Sequence, residues 1–520
     1  MSVTDEQKHI GEEEATVLRQ LSKLPNGPSE GALDRLLELL DRGPVASWID
    51  GKEYSSSASF DILDPSTGAY LGSGAQANAG DVNAAVHAAD MAFRSWRAVP
   101  RSERARLLNR IADLIDRDAE YLAVTEALDT GRPLWETRAV DVPLMAAHFR
   151  YFAGWAMHAE GTTIPLDDPN MFTYTIREPI GVVAGIIPWN FPMVFAAYRI
   201  AAPLAFGNTV VVKPAEQASL SVVHLARIAA EAGVPAGVVN VVLGKGETGA
   251  ALVAHPQVGK VAFTGSVETG RRVARSAADT IKNVSLELGG KSANIVFADA
   301  PLDAAVGGVA GGIFFSQGQV CTAGSRLFVA EEIRDDLLSR VGDHMRGFHI
   351  GHSLDPATTM GPLVSLEQKR RVDNFVRIGR EGGDTIIDAQ EGDLPDELAA
   401  GYFVTPTLLS VKNRQSVLAT EEVFGPVLAV DTFTTDDEVI DRANATTFGL
   451  ANGIWTKDLS RAHRAAARLE SGTVWINTYN MFDAAAPISG YKLSGTGREL
   501  GSASIDLYTH SKTVWVNTAV

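Results

Sequence analysis

The only cysteine of the 520-residue chain, Cys321, lies among residues that suit a reactive thiol. Residues 317–326 read QGQVCTAGSR, and the two glycines allow tight turns that bring backbone amides close to the sulfur. A structural cysteine would normally lie in an apolar periodic pattern, whereas this one has glycine and polar neighbours. We therefore predict that Cys321 is a nucleophile that forms a covalent intermediate.

The elements that must position this thiol alternate between strand and helix. From residue 181 onward, the strand-like segments GVVAGIIP, TVVVKP, VVNVVL and KVAFTG are separated by helical patterns. This alternation predicts βαβ units and a parallel sheet. A second α/β region is predicted from about Lys291, with a helix over residues 302–317 that leads to the cysteine. The predicted class is therefore α/β.

Four motifs resemble signatures of the aldehyde dehydrogenase superfamily, in the family's order over most of residues 45–515. They are PWNFP at 188–192, LELGGKS at 286–292, GQVCTAGSR around the cysteine and EEVFGP at 421–426. The chain departs from the family's commoner PFGGYK form, because Ile488 and Ser489 replace Phe and Gly, which changes the local loop. The resemblance implies NAD(P)-dependent oxidation of an aldehyde to the carboxylic acid without CoA.

The resemblance also implies three catalytic roles. Cys321 would attack the aldehyde carbon, and the tetrahedral adduct could then release hydride to the nicotinamide. Glu287 precedes Cys321 by 34 residues (321 − 287) and would activate the water that hydrolyses the thioester. Asn190 would donate its side-chain amide to the oxyanion, together with the backbone N–H of Cys321.

The cofactor diphosphate is expected where the strand KVAF meets a helix N-terminus, at Gly265, Ser266 and Gly270. The G-x-G-x-x-G pattern at residues 244–249 is interpreted as a tight βα turn instead. The resemblance implies a Rossmann-like cofactor domain whose contacts include further residues around these motifs. The remaining expected cofactor-binding residues are Ile187, Trp189, Lys213, Glu216, Thr264, Leu288, Glu422 and Phe424.

Lys213 and Glu216 follow the strand TVVVKP and are expected at the adenine-side ribose. The carboxylate of Glu216 can accept from a ribose 2′-hydroxyl but repels a 2′-phosphate, which favours NAD. NADP stays open as an alternative, because Lys213 could offset that repulsion. Glu422 is expected at the nicotinamide ribose, with Phe424 against the nicotinamide ring.

The aldehyde tunnel implied by the resemblance is mostly apolar and aromatic. Its predicted lining residues are Phe191, Phe195, Tyr198, Val320, Thr322 and Phe482, with neighbours of Tyr479. No arginine or lysine occurs among them to pair a carboxylate. We therefore expect a hydrophobic or aromatic aldehyde rather than a charged semialdehyde.

The resemblance implies three parts beside a helical N-terminal extension over residues 1–42. These are residues 43–160 with 180–290 for the cofactor, 291–487 for catalysis, and 161–179 with 500–520 as a small β oligomerisation element. Independently, the alternating tail at 512–517 predicts a strand with an apolar edge that a neighbouring subunit would cover. A homodimer or homotetramer is expected.

Composition excludes several classes of partner. The net charge of −17, from 46 basic and 63 acidic residues, repels nucleic acid and anionic membranes. One cysteine cannot form an intramolecular disulfide, and no secretory signal precedes residue 18, so a cytoplasmic location is expected. No HExxH pair or multi-cysteine pattern is present, so no catalytic metal is expected.

Three other functions are weighed against this one. A CoA-acylating semialdehyde dehydrogenase would pass the thioester to a thiol and could dispense with Glu287, which the chain retains. A cysteine hydrolase or acyltransferase would need a histidine partner, and no histidine lies in a recognised motif. A non-catalytic protein of the same fold would not need Cys321, Glu287 and Asn190 together.

Overall fold

The computed structural model describes residues 9–389 and 396–519. The first part contains α1 (Glu12–Leu21), α2 (Glu30–Asp41), β1 (Ser47–Ile49), β2 (Lys52–Tyr54), β3 (Ala58–Leu63), β4 (Tyr70–Gln76), α3 (Ala79–Trp96), α4 (Arg101–Arg117), α5 (Ala119–Thr130), α6 (Leu134–Glu136), a π-helical turn (Thr137–Asp141) and α7 (Val142–Trp155). The middle contains β5 (Thr163–Ile164), β6 (Met171–Pro179), β7 (Val182–Ile186), α8 (Pro192–Ala205), β8 (Thr209–Lys213), α9 (Leu220–Glu231), β9 (Val239–Val241), α10 (Gly246–Ala254), β10 (Val258–Thr264), α11 (Val267–Ala278) and β11 (Asn283–Glu287).

The last part of the chain is a second series of alternating strands and helices. It contains β12 (Ala293–Val296), α12 (Leu302–Phe314), β13 (Arg326–Ala330), α13 (Arg334–Arg346), α14 (Leu366–Glu381), β14 (Thr385–Ala389), β15 (Thr407–Ser410), α15 (Val417–Thr420), β16 (Val427–Phe433), α16 (Asp436–Asn444), β17 (Phe448–Gly449), β18 (Ala451–Trp455), α17 (Leu459–Arg468), β19 (Thr473–Ile476), β20 (Tyr491–Lys492), β21 (Gly495–Thr496), α18 (Ser504–Tyr508) and β22 (Thr509–Asn517). The predicted α/β class is confirmed. In the described part of the chain, no helix is both long and apolar enough to cross a bilayer.

The first large sheet has the strand order β2-β1-β9-β8-β7-β10-β11-β21. Strands β9, β8, β7, β10 and β11 run parallel, as the alternating pattern predicts. After β7 the chain adds β8 and β9 on one side, and β10 and β11 on the other. Such a reversal leaves a crevice at the carboxyl ends of the two central strands, where open α/β sheets bind ligands.

The second large sheet has the order β14-β15-β16-β13-β12-β18-β19 and is parallel except for β14 at its edge. Its strands β12, β13 and β18 are wholly buried, which agrees with their continuous apolar runs. Helix α12 leaves β12 and leads toward the cysteine, and β13 begins five residues after it (326 − 321). This sheet therefore holds both ends of the segment that carries Cys321.

A third, three-stranded sheet stands apart, in the order β22-β6-β5. Strand β22 pairs with β6 along its whole length, and it is an edge strand with no further partner within residues 9–389 and 396–519. Trp515 on β22 is 59% exposed, and Phe172 on β6 is 47% exposed. The predicted strand at residues 512–517 therefore lies within β22 and carries an exposed aromatic residue.

The N-terminal extension forms the two predicted helices, and its leucines, including Leu18 and Leu36, are buried in the main core. Residues 1–8 lie outside the described part of the chain. Helix α2 begins at the N-cap Ser29, whose side chain accepts from the Ala32 amide. The extension is therefore part of the packed protein.

Among the described residues, Glu14, Asp64 and His352 are the group that lies close enough together to hold a metal ion, and all three are buried. The Leu354 N–H donates to Nδ1 of His352 (3.1 Å), so the ring proton is on Nε2, which donates to Asp64 (3.1 Å). In this arrangement Nε2 has no lone pair for a metal. Burial and the Asp64 carboxylate raise the pKa of Glu14 to about 7, so the group links α1 to Asp64 through a shared proton.

One prediction of local structure is wrong. The helix predicted over 302–317 ends at Phe314, because Ser316 and Gln317 adopt left-handed backbone angles (φ 51° and 55°). The sequence of segment 381–398, rich in Gly, Asp and Glu, predicts a surface excursion, and its described residues are mostly exposed and include the edge strand β14. Residues 390–395 of that segment lie outside the described residues.

Candidate active site

Cys321 and Glu287 line one cavity of about 320 Å³. All six residues predicted for the aldehyde tunnel line it as well. The other lining residues are Val140, Asp141, Leu144, Val194, Thr264, Leu288, Gly307, Gly308, Gly311, Gly312, Phe315, Leu450, Tyr479, Asn480, Ile488 and Glu499. These described lining residues include no lysine, arginine or histidine, and most of the surface is apolar.

The thiol of Cys321 is half-buried at the end of a constrained loop. Three consecutive residues before it, Ser316, Gln317 and Gly318, have positive φ angles, and the backbone of Gly318 packs against Gly425. Burial, and then the carboxyl groups of Glu422 and Glu287, together raise the pKa of the thiol to about 12. The backbone amides of Thr322 and Cys321 act in the opposite direction, because they stabilise a thiolate.

Glu287 is the last residue of β11, beside Thr264 at the end of β10. Its side chain is 6% exposed, and Oε1 has no hydrogen-bond partner among the described residues. Burial raises the pKa of this carboxyl to about 8, and Arg199 opposes the shift only in part. A carboxyl with this pKa and a free oxygen can take a proton from water near neutral pH.

The Gly289-Gly290 turn after Glu287 brings three of the sequence motifs together. A Cβ atom on Gly289 would overlap the carboxylate of Glu422, and one on Gly290 would overlap the carbonyl oxygen of Cys321. The Gly290 N–H donates to Oε1 of Glu422 (2.9 Å). Only glycine allows this approach, so the turn fixes the distance between the backbones of Glu287 and Cys321.

Asn190 is buried beside the cysteine loop and does not itself line the cavity. Its Nδ2 donates to the carbonyl oxygen of Gln319 (2.8 Å), two residues before Cys321. A side-chain amide has two N–H donors, so one donor remains for another acceptor. The predicted oxyanion donor therefore lies beside the loop that carries the nucleophile. One of its two N–H groups holds that loop.

The residues predicted for the cofactor gather at the crevice of the first sheet. Ile187 and Trp189 follow β7, and the Ile187 N–H donates to the Lys213 carbonyl at the end of β8 (3.1 Å). Nζ of Lys213 lies 3.4 Å from Oε2 of Glu216. Burial lowers the pKa of Lys213, and Glu216 opposes that shift. Both side chains thus lie at the carboxyl end of a parallel strand.

The predicted diphosphate site is the turn from β10 into α11. Ser266 is the N-cap of this 12-residue helix, and its hydroxyl accepts from the Thr269 amide (3.2 Å). The Gly265 N–H donates to the carbonyl of Glu287 (3.1 Å), so this turn is joined to the catalytic strand. Gly270 is required by packing, since a Cβ there would lie 2.7 Å from Leu288.

The competing glycine pattern at 244–249 has a packing explanation. Gly244 has φ 148° and packs against Thr248, and the Lys245 N–H donates to Gln76 (3.1 Å). It follows β9, which is two strands away from β7 in the sheet. These contacts agree with its interpretation as a tight βα turn.

Glu422 and Phe424 lie between the motifs of the first large sheet and those of the second. Glu422 is half-buried, and burial raises its carboxyl pKa to about 7. Phe424 adopts φ 61° and packs edge-on against Trp189, with ring centroids 5.3 Å apart. The predicted nicotinamide-side residues therefore meet the β7 end of the crevice.

Two groups of residues at the cavity were not predicted: the lining residue Glu499 with the buried arginine behind it, and a set of glycines. Arg199 on α8 is fully buried and pairs with Glu499 and with the hydroxyl of Thr264. Ser285 donates to the other oxygen of Glu499 (3.1 Å), so Glu499 is held beside the cavity. An arginine in the otherwise apolar helix segment AAYRIAAP was the available signal. The second group is the glycine set on α12, at residues 307, 308, 311 and 312.

Residues 48–514 match the model of the aldehyde dehydrogenase family. The chain is 46% identical to DhaS of Bacillus subtilis over 486 residues, which cover 92% of this chain and 97% of that protein. It is 44% identical to a betaine aldehyde dehydrogenase of Cereibacter sphaeroides, over 91% of this chain and 97% of that one. An NAD⁺ complex of aldehyde dehydrogenase from Bacillus cereus superposes with a TM-score of 0.91 at 42% identity, covering 95% of this chain and 100% of that one. The resemblance predicted from the four motifs is thereby confirmed, and the chain belongs to the aldehyde dehydrogenase family.

Proposed function

We propose that the chain oxidises hydrophobic or aromatic aldehydes to carboxylic acids with NAD, through a thioester on Cys321. One observation carries the proposal: the thiol and the unpartnered, buried carboxyl of Glu287 face the same apolar cavity. A nucleophile and a water-activating base in one water-poor site are what formation and hydrolysis of a thioester require.

In the first stage, the Cys321 thiol loses its proton to water, the resulting thiolate bonds to the aldehyde carbon, and the oxygen becomes an oxyanion. Asn190, whose side-chain amide also holds the loop two residues before Cys321, and the Cys321 backbone N–H would stabilise that charge. A bound NAD⁺ would supply the hydride acceptor that the adduct needs to become a thioester. In the second stage, Glu287 takes a proton from water, the water oxygen bonds to the acyl carbon, and the bond to sulfur breaks so that the Cys321 thiolate leaves. Over both stages, one aldehyde, one water and one NAD⁺ give one acid, one NADH and one proton.

The residues around the crevice fit a dinucleotide. The Thr269 amide of α11 donates to the Ser266 hydroxyl, and the two amides before it, of Val267 and Glu268, precede the helix's own acceptors and can hold a diphosphate. Lys213 and Glu216 offer a cation and a carboxylate to ribose hydroxyls at the end of β8. Because the Glu216 carboxylate would repel a 2′-phosphate, we infer a preference for NAD over NADP.

The cavity walls support the substrate class. Phe191, Phe195, Tyr198 and Phe482 supply aromatic surface, and Asp141, Glu287 and Glu499 supply only acidic groups. A carboxylate on the substrate would meet no cation among the described lining residues, whereas an apolar ring would be desolvated favourably.

Two alternatives lack this support. A cysteine hydrolase would place a histidine beside the thiol, and none lines the cavity in the described chain. A CoA-acylating enzyme would have no use for a water-activating base, and Glu287 has its oxygen free in the cavity.

We further propose that residues 43–160 with 180–290 form the cofactor domain and 291–487 the catalytic domain. The three-stranded sheet from 161–179 and 500–520 would form a homodimer or homotetramer interface, since its edge strand β22 exposes Trp515. A reduced Cys321 thiol requires a reducing compartment, which supports a cytoplasmic location.

The test follows NADH absorbance with the purified protein and either NAD or NADP. The aldehydes are hexanal, benzaldehyde, betaine aldehyde and succinic semialdehyde, each with and without CoA. We expect NADH from hexanal and benzaldehyde without CoA, and no NADH from Cys321→Ala, which should retain its melting temperature and its NAD affinity. Absence of NADH with every aldehyde would refute the proposal, and strict dependence on CoA would favour the acylating alternative.

A further inference from the structure

Helix α12 forms one wall of the cavity and presents four glycines to it, Gly307, Gly308, Gly311 and Gly312. They form two adjacent pairs one helical turn apart, so they share one face. Glycine weakens a helix interior relative to alanine, because it loses more conformational freedom on folding. Four glycines in a 13-residue helix therefore call for a reason at each position.

Packing explains one member of each pair. A Cβ on Gly308 would overlap the indole ring of Trp455, and one on Gly312 would lie 3.2 Å from both Asn294 and Tyr479. Trp455 and Asn294 are themselves joined by a hydrogen bond of 2.7 Å, so neither can easily move. Gly308 and Gly312 are thus needed for α12 to lie against β12 and β18.

Packing does not explain Gly307 and Gly311. Apart from the adjacent residues and the backbone of α12 itself, no described atom lies within 4 Å of the Cβ position of either residue, and both are exposed while lining the cavity. Alanine would fit at both positions and would strengthen the helix. What glycine preserves here is open space at the side of the cavity.

The cavity that these glycines widen is a ligand site on independent grounds. Glu287 lines it with a side chain that is 6% exposed and an oxygen that has no partner in the described chain. Phe315, one turn after Gly311, is nearly parallel to Phe191 (25°), with ring centroids 6.2 Å apart. The guanidinium of Arg132 lies 4.0 Å from the centre of the Phe191 ring and holds that ring in place. The open side of the cavity therefore continues into a fixed aromatic wall.

We propose that Gly307 and Gly311 form a subsite for the wide end of the substrate, and that it admits fused-ring or ring-substituted aromatic aldehydes. This inference rests on the proposed oxidation of aldehydes and specifies its substrate class. A side chain larger than hydrogen at either position would occupy the space that a second ring needs. A narrow alkyl chain needs less of that space, so selectivity between wide and narrow aldehydes should depend on these two positions.

The experiment compares kcat/KM for 2-naphthaldehyde and hexanal in Gly307→Leu, Gly311→Leu and the wild-type protein. We expect the ratio of the two values, naphthaldehyde over hexanal, to fall by about tenfold or more in each variant. Ala304→Leu is the matched control, because Ala304 is an exposed α12 residue that does not line the cavity. Its ratio should stay at the wild-type value.

A second readout does not depend on turnover. Binding of 2-naphthalenemethanol, an unreactive analogue, is measured by calorimetry in the same proteins, and it should weaken by about fivefold or more in Gly311→Leu. An unchanged ratio and unchanged binding would overturn the inference, and so would equal losses for both aldehydes in variants that melt normally. If the wild type yields no NADH but binds the analogue in a manner sensitive to Gly311, the dehydrogenase proposal fails and the subsite stands.

Discussion

The reacting end of the cavity and its α12 wall use glycine in opposite ways. At the reacting end, Gly289 and Gly290 are pressed against Glu422 and against the backbone of Cys321, with no room for a methyl group. On α12, Gly307 and Gly311 face open space. Close backbone contacts thus fix the reacting groups, whereas the width of the substrate site depends on the absence of a side chain at Gly307 and Gly311.

The largest effect should come from a substitution in the closely packed Gly289-Gly290 turn. Gly290→Ala would push a methyl group into the Cys321 carbonyl and displace the nucleophile relative to Glu287. We expect kcat/KM to fall by about 100-fold, because displacements of an ångström have effects of this size in active sites. The measurement is NADH formation from benzaldehyde.

Gly154→Ala provides the control for that substitution. Gly154 is an exposed residue of α7 with no atom within 4 Å of its Cβ position, and it does not line the cavity. Its activity should equal that of the wild type. If Gly290→Ala were as active as Gly154→Ala, the Gly289-Gly290 turn would not be what positions the thiol.

A second effect, of about tenfold per pH unit, should appear in thioester hydrolysis. Burial raises the pKa of Glu287 to about 8, so the carboxyl is mostly protonated at pH 7 and becomes a base as the pH rises through 8. The hydrolysis rate should therefore increase up to about pH 8 and then level off. Single-turnover kinetics across pH 6–9 separate this step from NADH formation.

The control for the pH dependence of hydrolysis is Glu287→Gln, whose side-chain amide cannot titrate. Its residual hydrolysis should show no inflection near pH 8. A wild-type profile that is flat from pH 6 to 9 would mean that Glu287 is already ionised or does not act on water.

The smallest effects should distinguish the two kinds of glycine within α12. Gly311→Ala should stabilise the protein by about 0.5–1 kcal/mol, because the exposed helix gains propensity without a clash. Gly308→Ala should destabilise it by about 1–3 kcal/mol, because the added methyl overlaps Trp455. Chemical denaturation measures both values. If both variants changed the free energy of unfolding by the same amount and in the same direction, packing would not distinguish Gly311 from Gly308.

Much of the reacting end follows from the sequence. Residues after β7, β8, β10 and β11 are expected to meet because carboxyl ends of parallel strands share one edge of a sheet. The sequence alone thus predicts that one region of the protein contains Trp189, Lys213, Ser266 and Glu287. The tight turns also follow, since two adjacent glycines signal a close approach.

Other features depend on tertiary packing that no local pattern encodes. Arg199 and Glu499 are 300 residues apart, and their pairing exists only because α8 and the segment before α18 pack beside the cavity. The early end of α12 arises from left-handed angles at Ser316 and Gln317, which are not glycines and give no signal. The α12 glycines are visible in the sequence, but which of them face space is decided by Trp455 and Tyr479 from other elements.

The central claim is that an acyl group passes through Cys321 and is released by Glu287. The most direct measurement is the intact mass of Glu287→Gln after mixing with NAD and benzaldehyde, followed by peptide mapping. The account predicts about one NADH per protein, a mass increase of one benzoyl group, and its location on the peptide that contains Cys321. NADH formation without any covalent adduct, or an adduct on another residue, would contradict it.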